Sequence, residues 1–369
     1  MPAETLLPAL DPMPIPGPPW LFHVLWLVTF AIHVVGVNVV LGSSLVGTVA
    51  SFDRDRAFGR GVAKFFAEIN TWAISLTITF GIAPLLFLQV LHGRLFYSAT
   101  VIVAPAWLGL LLLLMAAYYL TYLGKYRLRA GKGAALPFAL SALLFLCVAA
   151  IQVAVHLLSV QPGRWEGVLA QPWTLLADRA FVPRFLHFVL AGVTLAGILL
   201  AWIAVRRPPA EEERANASAR AMFGVKIALL ATVLQLVVGL WLTISVPREV
   251  LLGLMRGGGA TMAPFTIGIF AGFGLLVFLA RIRDPFADRA SVRRSIELFG
   301  LAMILMLVTR HQLRDIYISA AGAGSTPATT GQWGVFAIFL VSFVLCLALS
   351  IVALVKSARD RPPHGEATA

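Results

Sequence analysis

Long apolar segments recur along the 369-residue chain and alternate with short polar loops. Each segment is about 20 residues or longer, the length that a helix needs to cross roughly 30 Å of hydrocarbon. The pattern predicts an all-α polytopic integral membrane helical bundle with about nine transmembrane helices. The predicted spans cover residues 20–52, 65–91, 100–124, 136–158, 181–206, 221–246, 262–281, 296–320 and 333–357.

Composition supports a membrane protein and excludes other classes. Hydrophobic residues make up 59% of the chain and charged residues 12%, whereas a soluble protein carries about 25% charged residues. The net charge of +12 lies mainly in short loops, where membrane topology accounts for it without nucleic acid. We expect an extracytoplasmic tail over residues 1–19, a transmembrane domain over 20–357 and a cytoplasmic tail over 358–369.

The distribution of Lys and Arg predicts the orientation of the bundle. Four loops carry four or five of these residues each, namely 53–64, 125–135, 206–220 and 281–295. The loops between them carry two or fewer, namely 92–99, 159–180, 247–261 and 321–332. Because basic loops stay in the cytoplasm, the alternation places the N-terminus outside and the C-terminus inside.

Histidines are concentrated in the apolar segments. His364 lies in the polar tail, and the other six lie in or at the ends of predicted spans: His23, His33, His92, His156, His187 and His311. With the predicted orientation, all six lie toward the outer face. An ionisable residue in lipid is costly, and imidazole is the commonest nitrogen ligand of metals and haem iron. The layer therefore predicts bound haem, although His23 and His92 could instead face lipid headgroups.

Arginines accompany these histidines inside the apolar helices. Arg310 and Arg314 flank His311, and Arg184 lies near the start of the fifth span. A buried guanidinium needs an anion, and a haem propionate is a carboxylate that arginine binds well. The alternatives for Arg310 and Arg314 are a pair with Asp315 or an extended side chain that reaches the outer surface.

The two cysteines restrict the type of haem. Cys147 and Cys346 lie within predicted helices, and they have neither metal-ligand spacing nor the CxxCH signature of covalent haem attachment. Any haem is therefore held non-covalently. We expect haem b, in two or three copies, with haem d as an alternative.

Four segments carry a resemblance to a known family. They are AIHVVGVNVVLGSSLVGTV, KFFAEINTWAISLTITFGIAPLLF, SVQPGRW and FVPRFLHFVLAGVTLAG. The chain resembles the large subunit of cytochrome bd-type quinol oxidases, most clearly over residues 26–200. The resemblance implies nine spans with haems near the outer face. It also implies that His33 ligates a high-spin haem and His187 a low-spin haem.

Other positions depart from the pattern of that family. The methionine that ligates the low-spin haem would fall near Phe270, and the connection 247–261 is too short for the family's quinol-binding loop. The third span has none of the family's acids. In the eighth span, LVTRHQLRDIYI stands where the family has a Gly-Arg-Gln-Pro-Trp motif preceded by a ligating Glu, and Gln312 is the clear counterpart. His311 could replace that Glu, and His156 or His311 could complete a bis-histidine site.

These observations lead to three functional hypotheses. The first is a membrane b-type cytochrome in the bacterial inner membrane, an electron-transfer component of a bd-like respiratory complex with other membrane subunits. The second is a terminal oxidase that takes electrons from a periplasmic cytochrome c, which the short connection favours. The third is a permease or structural subunit without a cofactor.

The predicted orientation can be tested with reporter fusions. Fusions at residues 130 and 212 lie in basic loops and should report a cytoplasmic location. A fusion at residue 170 lies in a less basic loop and should report an external location. A cytoplasmic signal at residue 170 would contradict both the number of spans and the outer position of the histidines.

Overall fold

The computed structural model describes residues 8, 14–53, 56–206, 213–324 and 328–359. Within these ranges the chain is almost entirely helical, and the β structure is an isolated bridge between Ile15 and Thr329. The helices are α1 (Pro19–Ser51), α2 (Arg56–Ile102), α3 (Ala104–Arg129), α4 (Ala135–Ser159), α5 (Trp165–Ala170), α6 (Phe181–Arg206), α7 (Arg214–Ser245), α8 (Arg248–Arg256), α9 (Gly259–Arg281), α10 (Arg289–Ala320) and α11 (Trp333–Arg359). Most of the two predicted tails lies outside the described residues.

The long helices largely coincide with the segments predicted from hydrophobicity, so the prediction of a polytopic helical bundle is confirmed. The predicted loop 92–99 is different, because α2 continues through it to Ile102. Eight of the helices in the described ranges are long and apolar enough to cross a membrane: α1, α2, α3, α4, α6, α7, α9 and α11. Helix α10 is also long, with 32 residues, but charged side chains near both of its ends make it less apolar than these eight helices. It packs mainly against α9 and α6.

Glycines allow the central helices to approach closely. A Cβ added at Gly42 of α1 would overlap the carbonyl oxygen of Gly192 in α6, and one added at Gly197 of α6 would overlap the carbonyl oxygen of Gly224 in α7. Small residues at a crossing bring backbones together and increase van der Waals contact, which drives helix association in lipid. These contacts make α6 the element that joins α1 to α7.

A kink at His92 changes the direction of α2. His92 has non-helical backbone angles (φ −136°, ψ 31°), although the helix continues to Ile102 on the far side. Beyond the kink, Arg94 Nη2 donates a hydrogen bond of 2.6 Å to the carbonyl oxygen of Ala323, just after α10. The kink therefore sends the last ten residues of α2 across the end of the bundle.

That end of the bundle contains His23, His92, His156, Arg184 and His311, and we name it the histidine end. It is covered by a cap made of the end of α2, α5 and α8. Buried residues from all three parts of the cap pack together with residues of α4 and α10, among them Leu95, Leu158, Trp165, Val250 and Ile318. The cap separates the polar side chains beneath it from bulk water.

Helix α11 stands apart from the other helices. Ring contacts attach it near its start, where Phe336 packs against Phe22 and Phe339 against Phe87. The most apolar part of α11 is otherwise unburied within the chain. Its side chains are therefore available to lipid along most of its length.

Candidate functional site

Three imidazole rings meet at the histidine end. The ring centroids of His23 and His311 are 5.0 Å apart, and those of His23 and His92 are 6.1 Å apart. His311 also contacts Trp26, with 4.9 Å between ring centroids. His23 Nδ1, His92 Nε2 and His311 Nδ1 are buried and have no hydrogen-bond partner among the protein atoms. His23 and His92 thus face into the protein rather than toward headgroups.

His156 joins this group through α10. Arg314 Nη2 and His156 Nδ1 are 3.1 Å apart. A guanidinium can only donate hydrogen bonds, so Nδ1 of His156 accepts and carries no proton. The neutral ring therefore carries its proton on Nε2.

Three arginines lie next to these histidines, with Arg314 buried and Arg184 and Arg310 partly buried. Arg314 is 4% exposed, and its guanidinium lies 5.2 Å from the centroid of the Trp26 ring. The guanidinium of Arg310 lies 4.8 Å from the centroid of Phe30. Several of their nitrogens are buried without an acceptor, namely Arg184 Nε, Arg310 Nη1 and both Nε and Nη1 of Arg314. These guanidinium nitrogens at the histidine end therefore lack an anionic partner among the described residues.

The carboxylates near the histidine end do not balance these charges. Asp315 Oδ2 lies 3.8 Å from His311 Nε2, and the Asp315 side chain is 48% exposed. Asp178 forms a salt bridge with Arg164 at 2.7 Å. Across the described ranges, neither aspartate pairs with Arg310 or Arg314. The Arg–Asp pair considered as an alternative for these arginines is thus not formed.

His33 lies between α1 and α2. Its Nδ1 is 3.0 Å from the backbone oxygen of Thr77. Because a carbonyl oxygen only accepts, Nδ1 carries the proton and Nε2 keeps its lone pair. Gly81, one turn beyond Thr77, leaves room for the ring, since a Cβ there would lie 2.8 Å from His33 Cε1.

His187 lies between α6 and α7, where Gly239 makes room for its ring. A Cβ at Gly239 would lie 3.2 Å from His187 Cε1. His187 Nδ1 is buried and has no partner, as is Oε1 of Gln235 one turn earlier on α7. Because Gly81 and Gly239 have no side chain, the rings of His33 and His187 each pack directly against the backbone of a neighbouring helix.

The structure brings together most of the residues predicted to form the site. His156, Arg184, Arg310, His311 and Arg314 lie at the histidine end. His33 and His187 lie in separate helix pairs. His23 and His92 join the group, although their positions at helix ends gave no sign of this. Gly81 and Gly239 were also missed, because only the packing of two helices shows that they face a histidine.

These side chains fit haem better than a bare metal ion. Among the residues that the structure describes, no three His, Cys, Asp or Glu side chains are placed to hold a metal ion. Haem needs only one or two axial nitrogens from the protein. In metal sites, the second ring nitrogen of a ligating histidine usually donates to a carbonyl or carboxylate, as Nδ1 of His33 does. The buried guanidinium donors suit the propionate groups.

Comparison with known proteins gives a match in fold. No protein-family profile matches the chain, and no curated protein matches it. The solved structure of the bd oxidase from Geobacillus thermodenitrificans is similar, with a TM-score of 0.73 and 12% sequence identity over 95% of this chain and 100% of that chain. The protein therefore has a cytochrome bd-type fold, as its sequence motifs indicated.

Proposed function

We propose that the protein is a membrane b-type cytochrome, a subunit of a respiratory complex in the bacterial inner membrane. The observation that carries the proposal is the set of buried guanidinium nitrogens without an acceptor at the histidine end of a bundle with the bd oxidase fold. A permease or a purely structural subunit would have to keep these nitrogens of Arg184, Arg310 and Arg314 without anions. The proposal assigns two or three haems b, with haem d as an alternative.

The proposed roles of the side chains follow from their surroundings. His33 and His187 are the first candidates for axial ligands, and His311 and His156 are the next. Arg184, Arg310 and Arg314 would hold propionates. When bound, haem supplies a reversible one-electron redox centre.

The chain itself would set the conditions for electron transfer. The Thr77 carbonyl fixes the tautomer and orientation of His33, so that its Nε2 is free to ligate. The Arg314–His156 bond fixes the opposite tautomer in His156, because Nδ1 accepts from the guanidinium and Nε2 carries the proton. His156 would therefore have to give up this bond before a ring nitrogen could ligate iron. The cap of α5, α8 and the end of α2 keeps water away. In such an environment of low dielectric constant, charge interactions are stronger than in water.

A second candidate function is a terminal oxidase fed by a periplasmic cytochrome c. The observation that favours it is the short connection between α7 and α9, which holds the nine-residue helix α8. A Cβ added at Gly253 of α8 would collide with Cγ2 of Ile316 in α10, so α8 lies flat on the bundle. Oxygen consumption with reduced cytochrome c, compared with quinol, would distinguish this function from electron transfer alone.

The haem proposal can be tested by absorption spectroscopy. The purified protein should show a b-type reduced-minus-oxidised spectrum. His33→Ala and His187→Ala should each remove a distinct component, because each takes away an axial nitrogen. His364→Ala, in the polar tail, serves as the control and should leave the spectrum unchanged. Full haem content in both ligand variants would defeat the assignment, and a wild-type protein without haem would favour the permease or structural alternative.

The position of His33 can be tested without changing the ligand itself. Gly81→Ala places a Cβ 2.8 Å from Cε1 and 2.9 Å from Nδ1 of His33, so the ring must move. We expect a shift or loss of the spectral component that His33→Ala removes. The matched control is Gly109→Ala in α3, where a Cβ meets nothing within 4 Å and Ala favours the helix by up to about 1 kcal/mol. An unaltered spectrum in Gly81→Ala would show that the iron is not bound at this ring.

The role of His311 needs a structure of the haem-loaded protein. His311 and Arg314 are three residues apart and share a helix face, so one could present nitrogen to iron and the other a guanidinium to a propionate. We expect an iron about 2 Å from a His311 ring nitrogen, a typical metal–imidazole distance. If His311 contacts only protein in that structure, it is not a ligand, and the assignments of His33 and His187 are unaffected.

A further inference from the structure

A small polar cavity lies in the half of the bundle opposite the histidine end. It is lined by residues of α1, α2, α3 and α4, and it has about 10 Å³ of room for the centre of a water molecule. Its polar lining residues are Ser43, Ser44, Asn70, Thr121 and Ser141. A space of this size holds about one water molecule, and no larger ligand fits.

Two polar atoms that line this cavity lack a partner. Ser43 and Asn70 are 1% and 3% exposed, and Ser43 Oγ and Asn70 Oδ1 form no hydrogen bond with protein atoms. The amide nitrogen of Asn70 has a partner, because Nδ2 donates a hydrogen bond of 2.8 Å to Ser44 Oγ. A buried polar atom without a partner costs about 1–3 kcal/mol, and two such atoms line the same small space.

The remaining polar groups in the cavity wall are largely satisfied. Thr121 Oγ1 and Ser141 Oγ are 2.7 Å apart, and each also lies within hydrogen-bond distance of the Ala117 carbonyl oxygen, at 2.9 and 2.8 Å. A hydroxyl has one proton but two lone pairs. Both protons of this pair are used in these contacts, so the pair can only accept further hydrogen bonds. The cavity thus offers a ligand acceptors at Asn70 and at this pair, and a hydroxyl at Ser43 that can donate.

The charges around the cavity disfavour a metal cation. None of the lining residues carries a carboxylate. On the same side of the bundle, Lys125 Nζ donates to Thr71 Oγ1 at 2.9 Å, and Thr71 follows Asn70 directly in the chain. A cation in the cavity would therefore have no carboxylate in its immediate surroundings. A neutral ligand that both donates and accepts hydrogen bonds is the one that fits.

We propose that the cavity binds a single water molecule that bridges Ser43 and Asn70. The water would donate to Asn70 Oδ1, which can only accept, and it would form its second hydrogen bond with Ser43 Oγ. Any further hydrogen bond of the water would be formed with the Thr121–Ser141 pair. The bound water would then connect α1 and α2 with α3 and α4. This proposal is independent of whether the protein binds haem.

Radiolytic hydroxyl-radical footprinting of the detergent-purified, full-length protein tests for the water directly, since radicals form at bound water. Phe66 and Phe138 line the cavity and should be labelled several-fold faster than Phe145. Phe145 is the internal control, because it lies in the same helix as Phe138, is equally well buried at 5% exposed against 7%, and does not line the cavity. Labelling of Phe66 and Phe138 no faster than that of Phe145 would overturn the proposal.

The substitution Ser43→Ala gives an independent test through the sign of its effect. If water bridges Ser43 and Asn70, the substitution removes a partner of that water and lowers the melting temperature in detergent. If the cavity is dry, the same substitution removes an unsatisfied hydroxyl and raises the melting temperature. Ser295→Ala is the matched control, because Ser295 is 1% exposed and its hydroxyl donates within its own helix, to Ser291 O. A higher melting temperature for Ser43→Ala relative to this control would overturn the proposal.

Discussion

Buried positive charge without an equal number of carboxylates is the constraint on which the histidine end depends. Even after relaxation, removing an ion from water costs several kcal/mol, and Arg314 is buried beside partly buried Arg184 and Arg310. Aromatic rings offset only part of this cost, since a desolvated cation–π contact contributes about 2 kcal/mol. Phe30 and Trp26 provide one such contact each for Arg310 and Arg314. An anion of the size and charge of a propionate would supply the remainder.

The arrangement of the helices makes this constraint hard to escape. The kink at His92 and the cap close the end of the bundle, so the arginines cannot simply extend into water. Close crossings at Gly42 and Gly197 fix α1, α6 and α7 relative to one another, and the side chains on these helices cannot move apart. Close packing at Gly81 and Gly239 also holds His33 and His187 in defined orientations. The burial of charge and the orientation of these candidate ligands therefore both follow from the packing of helices.

Sequence reasoning predicted the helices well, because hydrophobic length and the distribution of basic residues are local properties of the chain. It predicted the composition of the site only in part. The depth of His156 and His311 along their helices was enough to place them together. The inward orientation of His23 depended on which face of α1 meets α2 and α10, and periodicity alone did not determine it. The contacts of His33 with the Thr77 carbonyl and of Arg314 with His156 require the register between two helices, which no single segment encodes.

Sequence identity of 12% with a bd oxidase chain of the same fold shows how few positions that fold requires. Apolar length and small residues at crossings suffice for the bundle, and a fold alone does not determine function. The proposed electron transfer would rely on features that this chain has, namely histidines and buried guanidinium nitrogens without an acceptor. The chain lacks the quinol loop and the third-span acids of bd-type quinol oxidases, which would serve donor binding and proton supply. Electron transfer between haems consumes no protons, so the function proposed for the histidine end does not require those features.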